Sequence, residues 1–243
     1  MKNEHTPNSK LNLRWLYLPW IGMAFSSLVI GVVSAAFQRS PQSVVHQLGI
    51  SSFSVFAIAL YSIGSAIAVM VLAMLLKKNG LDFAVVGFAG KLSSKGIVFA
   101  LASLLVAFTL YPVIESILKP IGIPMFWRGN ASSALRVGTT TDLALILVFA
   151  VLVGPVAEEI IFRGYLVTAF RERMTNLLSV YVLSGLVFAS AHVFVGPGTI
   201  IFIFFWSFIP AFLFLKFGNL YWPFCFHILN NFVTYVVFPL WLL

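Results

Sequence analysis

The stretch Gly154-Pro155-Val156-Ala157-Glu158-Glu159-Ile160-Ile161-Phe162-Arg163 sets two adjacent carboxylates and a guanidinium inside an apolar run that extends from residue 142 to residue 170. That run exceeds the about 20 residues needed to cross a bilayer. A charge at mid-bilayer costs at least about 2.5–3.5 kcal/mol on insertion scales, so charges kept there point to function. Helical spacing sorts the three. Glu159 and Arg163 are four apart, share a face and can pair within the helix, which gives them a supporting, structural role. Glu158 lies about 100° round the axis with no local cation, which leaves it as the reactive carboxylate. Pro155 removes a backbone N–H, so the carbonyl of Val151 should be freed and the helix kinked beside Glu158, making room for water.

Six further apolar runs surround this one. Residues 15–37, 53–76 and 96–118 precede it; 177–195, 199–217 and 219–240 follow, separated by short Gly, Pro or Asn punctuation. The implied fold is an all-α, polytopic transmembrane helix bundle of about seven spans, bounded by six and eight. The first run is longer than a signal-peptide core and reads as an uncleaved helix. No repeat, low-complexity tract or linker divides the chain, so residues 1–243 read as a single integral membrane domain, with the chemistry in about 142–243.

Composition agrees. Of 243 residues, 60% are hydrophobic and 9% are Asp, Glu, Lys or Arg, against about 25% in soluble domains, and the mean hydropathy is +1.02. Too few polar groups exist to cover a globule in water. This excludes a soluble enzyme, a disordered chain and a nucleic-acid partner. The net charge of +8 sits mostly between apolar runs, so membrane topology accounts for it. With the N-terminus cytoplasmic, the inner loops carry Lys2, Lys10, Arg14, Lys77, Lys78, Lys91, Lys95, Arg171, Arg173 and Lys216; the outer ones carry only Arg39, Lys119, Arg128 and Arg136. The expected localisation is the cell membrane, with the lipid bilayer as solvent.

The first three spans are comparatively clean, and polar residues concentrate in the second half, at Phe188-Ala189-Ser190-Ala191-His192 and His227-Ile228-Leu229-Asn230-Asn231. From the presumed cytoplasmic ends, Glu158 lies roughly 20 Å and His192 roughly 22 Å along their helices, so these groups can meet inside the bilayer. Together they supply what amide hydrolysis needs. Glu158 can take a proton from water, His192 can share that water or carry a proton to the leaving amine, and His227 with Asn231 can donate to the oxyanion. The cavity is expected to open toward the cytoplasmic leaflet. Phe188, one turn before His192, reads as packing against it.

The other polar and aromatic features read as ordinary. Residues 81–95 and 119–141 look like interfacial connectors, with Trp127 in an aromatic belt. Trp222-Pro223 looks like an interface anchor, and Asp142 and Glu115 look like span-end residues. His5 and His46 fall outside the spans, and Cys225 reads as packing.

Glu158-Glu159-x-x-x-Arg163, Phe188-x-x-x-His192 and His227-x-x-x-Asn231, in this order within membrane spans, resemble the three motifs of the CAAX protease and bacteriocin-processing (CPBP, or Abi) intramembrane proteases, which include the CAAX prenyl endopeptidases. The resemblance covers roughly residues 142–243. It implies that Glu158 and His192 activate water and that His227 and Asn231 form the oxyanion site. It also implies a peptide or membrane-protein substrate: a CAAX-type protein, a peptide precursor or a membrane protein. No cofactor is favoured, since no His-Glu-x-x-His spacing exists here. Zinc on Glu158, His192 and His227 is the other form, because these are the His2Glu ligand types of catalytic zinc sites.

Two rival readings use the same residues: a non-catalytic membrane regulator or bacteriocin self-immunity protein of the same fold, and a transporter using buried charges for coupling. The inverted repeat expected of the latter is not visible. The charge asymmetry itself is testable. A reporter that is active only outside the cytoplasm should be active when fused after Leu243 and silent when fused before Met1; the reverse pattern would invert the assigned topology.

Overall fold

The central helix begins at a reciprocal cap. The Thr139 hydroxyl accepts from the Asp142 N–H at 3.1 Å, and the Asp142 carboxylate accepts from the Thr139 N–H at 2.8 Å. Asp142 is fully buried and also accepts from the Ser51 N–H and hydroxyl at 3.0 and 2.6 Å. It stands at the end of its span, as expected, and there clamps two helix starts together.

The structure, a computed structural model, describes residues 11–37, 40–127 and 137–241. Lys2, His5, Lys10, Arg39, Arg128 and Arg136, all named from the sequence, lie outside the described residues. The described residues form helices only: α1 (Ile21–Phe37), α2 (Pro41–Gln47), α3 (Phe53–Lys78), α4 (Ser94–Leu118), α5 (Thr140–Arg171), α6 (Leu177–Ser190), α7 (Pro197–Phe217) and α8 (221–241). Helical turns at Leu13–Trp15 and Leu18–Trp20 lead into α1.

Five of these are long and apolar enough to cross a membrane, counting the first from Leu13 to Ala36; they are α1, α3, α4, α5 and α7. The expected run 177–195 forms only the shorter apolar α6, because the chain turns at Ala191. Helix α8 is continuous, with His227, Asn230 and Asn231 interrupting its apolar character. The protein is an integral membrane helical bundle.

Helix α5 is the axis of the bundle. Its most apolar stretch is 61% buried, against 22% in both α1 and α4. Helix α3 lies along its first half, α8 and the second half of α7 along its middle, and α6 along its end. Helices α1 and α3 cross at glycines: a Cβ on Gly64 would stand 2.8 Å from the Gly22 Cα. Small residues allow such close backbone approach where lipid gives no hydrophobic drive.

Two connectors do more than expected. Residues 81–95 fold inward: Val86 is fully buried against Gly164 of α5, and the Leu220 N–H donates to the Gly87 carbonyl at 3.0 Å. The described part of 119–141 grips the turn after α6, with Trp127 Nε1 donating to the Val193 carbonyl at 3.0 Å and Trp127 N to the Val195 carbonyl at 3.2 Å.

The segment leading into α1 is latched to the end of α5. The Leu11 N–H donates to Glu172 at 2.7 Å, Arg173 donates to the Leu11 carbonyl, and the Tyr165 hydroxyl donates to the Asn12 carbonyl at 2.8 Å. The segment that carries Arg14 and the end of α5 that carries Arg171 and Arg173 therefore lie together at one end of the bundle.

Trp222 is buried rather than an interface anchor, since Gly96 leaves its ring a seat: a Cβ on Gly96 would stand 2.0 Å from Trp222 Cε2. Gly96→Ala is therefore expected to cost about 1–3 kcal/mol by overpacking. Thermal melting of the detergent-solubilised protein reads this, and a second change of Trp222→Leu should recover most of the loss.

Candidate active site

Glycine-proline in mid-helix decides how α5 presents its carboxylates. Over Ile146–Val153 the backbone loosens to i→i+5 bonding, and the Gly154 N–H reaches back to the Phe149 carbonyl. In that register the carbonyl facing Pro155 belongs to Ala150, and proline has no N–H to give it. Asn231 of α8 supplies the missing donor, Nδ2 to the Ala150 carbonyl at 2.9 Å. The side-chain donor thus goes to Ala150 rather than to the expected Val151, because the register is five rather than four. A second loosened segment, Glu159–Val167, follows at once. Such segments are frequent at functional sites.

Glu159 is fully buried and ties three elements together. Its Oε1 accepts from Arg163 Nη1 at 3.1 Å and pairs with His227 Nδ1 at 2.7 Å. Arg163 also donates through Nη2 to the Ser207 carbonyl, at the break in α7, at 3.1 Å. Its guanidinium carbon lies 4.3 Å over the Phe188 ring. Phe188 stacks on Trp206 with centroids 5.9 Å apart, and Trp206 meets the His227 ring edge-on at 4.7 Å. The expected pair of Glu159 with Arg163 is present. To it the structure adds His227, which spacing within α5 could not reveal.

His192 lies in the turn just past α6. Its Nδ1 is 2.9 Å from the Phe188 carbonyl, four residues back, and the two rings are 4.9 Å apart. A carbonyl only accepts, so Nδ1 carries the proton and Nε2 presents a lone pair in the neutral ring. The four-residue spacing therefore gives His192 both a ring to pack on and a helix-end carbonyl to cap.

Glu158 lies between the two imidazoles, its Oε1 3.9 Å from His192 Nε2 and its Oε2 3.7 Å from His227 Nε2. These gaps are too long for direct hydrogen bonds and suit polar groups that share a third partner. His192 is the most open of the three, its side chain 21% exposed against 8% for Glu158 and 5% for His227.

Asn231 comes to the same face of α5 as His227, but its contacts are its own: besides Ala150, its Oδ1 accepts from Asn230 at 3.2 Å. Toward the Arg171 end of α5, Leu18 and Pro19 share a narrow crevice with Glu158, Ser65 and Ala68 and cover the carboxylate from that side.

Sequence reasoning missed two residues here. Trp206 packs against both Phe188 and His227, and its indole Nε1 donates to Asn230 Oδ1 at 3.4 Å. Tyr61 of α3 brings its ring to 6.1 Å from that of His192. The stripe of small residues Ser62, Gly64, Ser65 and Ala68 beside Tyr61 was the available signal that this part of α3 faces another helix.

Glu158, His192 and His227 have the donor types of a zinc site. Among the described residues, however, no three His, Cys, Asp or Glu side chains are arranged to hold a metal ion. The two Nε2 atoms face opposite oxygens of Glu158.

Removing Arg163 alone should leave Glu159 buried beside one imidazole only. Arg163→Met is expected to cost about 3–5 kcal/mol, the penalty for an uncompensated buried charge. Combining it with Glu159→Gln should restore most of the melting temperature, whereas a double variant no better than the single would mean that the ion pair is not the source of the loss.

Residues 140–233 match the family model described as type II CAAX prenyl endopeptidase Rce1-like. The matched segment is less than half of the chain and contains Glu158, Glu159, Arg163, Phe188, His192, His227 and Asn231. No curated protein and no solved structure matches the chain. Over this segment the chain is related to the CAAX proteases.

Proposed function

With that relation as premise, we propose that the chain is an intramembrane endopeptidase of the cell membrane that hydrolyses a peptide bond in or near the bilayer, on a CAAX-type, peptide-precursor or membrane-protein substrate. One observation carries the reading: a buried carboxylate flanked by two imidazoles, each of whose Nδ1 atoms is already committed elsewhere.

In the first step a water oxygen adds to the carbonyl carbon and its proton passes to Glu158, while the carbonyl π pair moves onto oxygen. His227 receives that charge through Nε2–H. With Nδ1–H held by Glu159, His227 serves this step in the form that carries both ring protons. The second amide hydrogen of Asn231 is free of the Ala150 carbonyl and joins it. Each such donor contributes about 2.7–4 kcal/mol. The oxyanion pair then re-forms C=O as the C–N bond breaks with its pair leaving on nitrogen, and the proton held by Glu158 passes through His192 Nε2 to that nitrogen. No metal ion takes part in this scheme.

Peptide termini in membranes and medium, compared by mass spectrometry between cells carrying the wild-type chain and Glu158→Gln at equal abundance, test the reading. Termini that depend on Glu158 are expected, and chelator-treated membranes should keep producing them. Unchanged termini, with a deletion phenotype that Glu158→Gln rescues, would make the protein a non-catalytic regulator.

A further inference from the structure

Tyr61 is a buried polar side chain at the site that the scheme above leaves unused. Its hydroxyl is buried and has no hydrogen-bond partner among the described residues. It nevertheless lies beside the Glu158 carboxylate and Ser65, and its ring stands against His192 at 6.1 Å and 55°.

The fold holds it there firmly. The next residue, Ser62, donates to the Phe149 carbonyl of α5 at 2.9 Å, which fixes the register of α3 against the Gly154-Pro155 segment. On the other side the ring packs on Gly22, where a Cβ would stand 3.2 Å from Tyr61 Cε2. A buried hydroxyl left unpaired forfeits about 1–3 kcal/mol, so the cost stands unless a molecule arriving at the site accepts a hydrogen bond from it.

We infer that Tyr61 is a further catalytic residue, whose O–H donates a hydrogen bond to the tetrahedral intermediate on the side of Glu158 and His192. This rests on the proteolytic reading. The phenol keeps its proton throughout: the water proton goes to Glu158, the carbonyl electrons to oxygen, and Tyr61 contributes only a donor. It complements His227 and Asn231, which approach from α8. It also gives α3, outside the segment that carries the three motifs, a direct part in the chemistry.

The test uses full-length protein in detergent with synthetic peptides spanning whichever termini depend on Glu158. Tyr61→Phe removes one oxygen and keeps the ring on His192 and Gly22. It is expected to lower kcat by about 10²-fold with KM unchanged. The melting temperature should not fall, because the free protein makes no hydrogen bond there to lose. Full kcat in Tyr61→Phe, while Glu158→Gln is inactive, would overturn the role of Tyr61 and leave proteolysis standing. A fall in melting temperature with a raised KM would make Tyr61 a structural residue and likewise overturn the inference. If Glu158→Gln loses no termini, the proteolytic reading fails first and takes this one with it.

Discussion

The buried carboxylate of Glu159 is the junction on which the rest of the site depends. One oxygen meets both the guanidinium of Arg163 and the Nδ1 of His227, so a single group joins two turns of α5 to α8, and Arg163 carries the connection on to the break in α7. In lipid no water can substitute for a missing partner, and helix association gains little from apolar burial alone. A fully buried charge can therefore persist only if the helices around it are held in one arrangement. That same arrangement fixes which nitrogen of His227 faces Glu158.

The proline in α5 works in the same direction. It leaves one backbone acceptor without a donor, and α8 provides that donor from Asn231. Helix α8 is thus pinned to α5 at two heights, by an ion-paired histidine and by an amide on a backbone carbonyl. Asn231 holds the helix through one amide N–H.

Around this polar axis the aromatic residues set the local dielectric. Phe188 and Trp206 lie against Arg163 and His227, while Leu18 and Pro19 cover Glu158 on the side toward Arg171. Coulombic interactions are strong in such surroundings, which holds Glu159 to its partners and leaves His192, at the edge, as the most open of the group.

The sequence by itself determined that the chain lives in lipid, that it is all helix, and which charged groups sit in its second half, because hydropathy, run length and i,i+4 spacing are local properties. It separated Glu158 from the Glu159–Arg163 pair for the same reason. Only the tertiary structure decided that His227 completes that pair, that Ala150 rather than Val151 needs a donor, that Trp222 is buried and that Tyr61 reaches the site. Each of these depends on how a second helix is placed against α5, or on a five-residue register within it. Spacing along one helix carries no information about the partner that another helix brings.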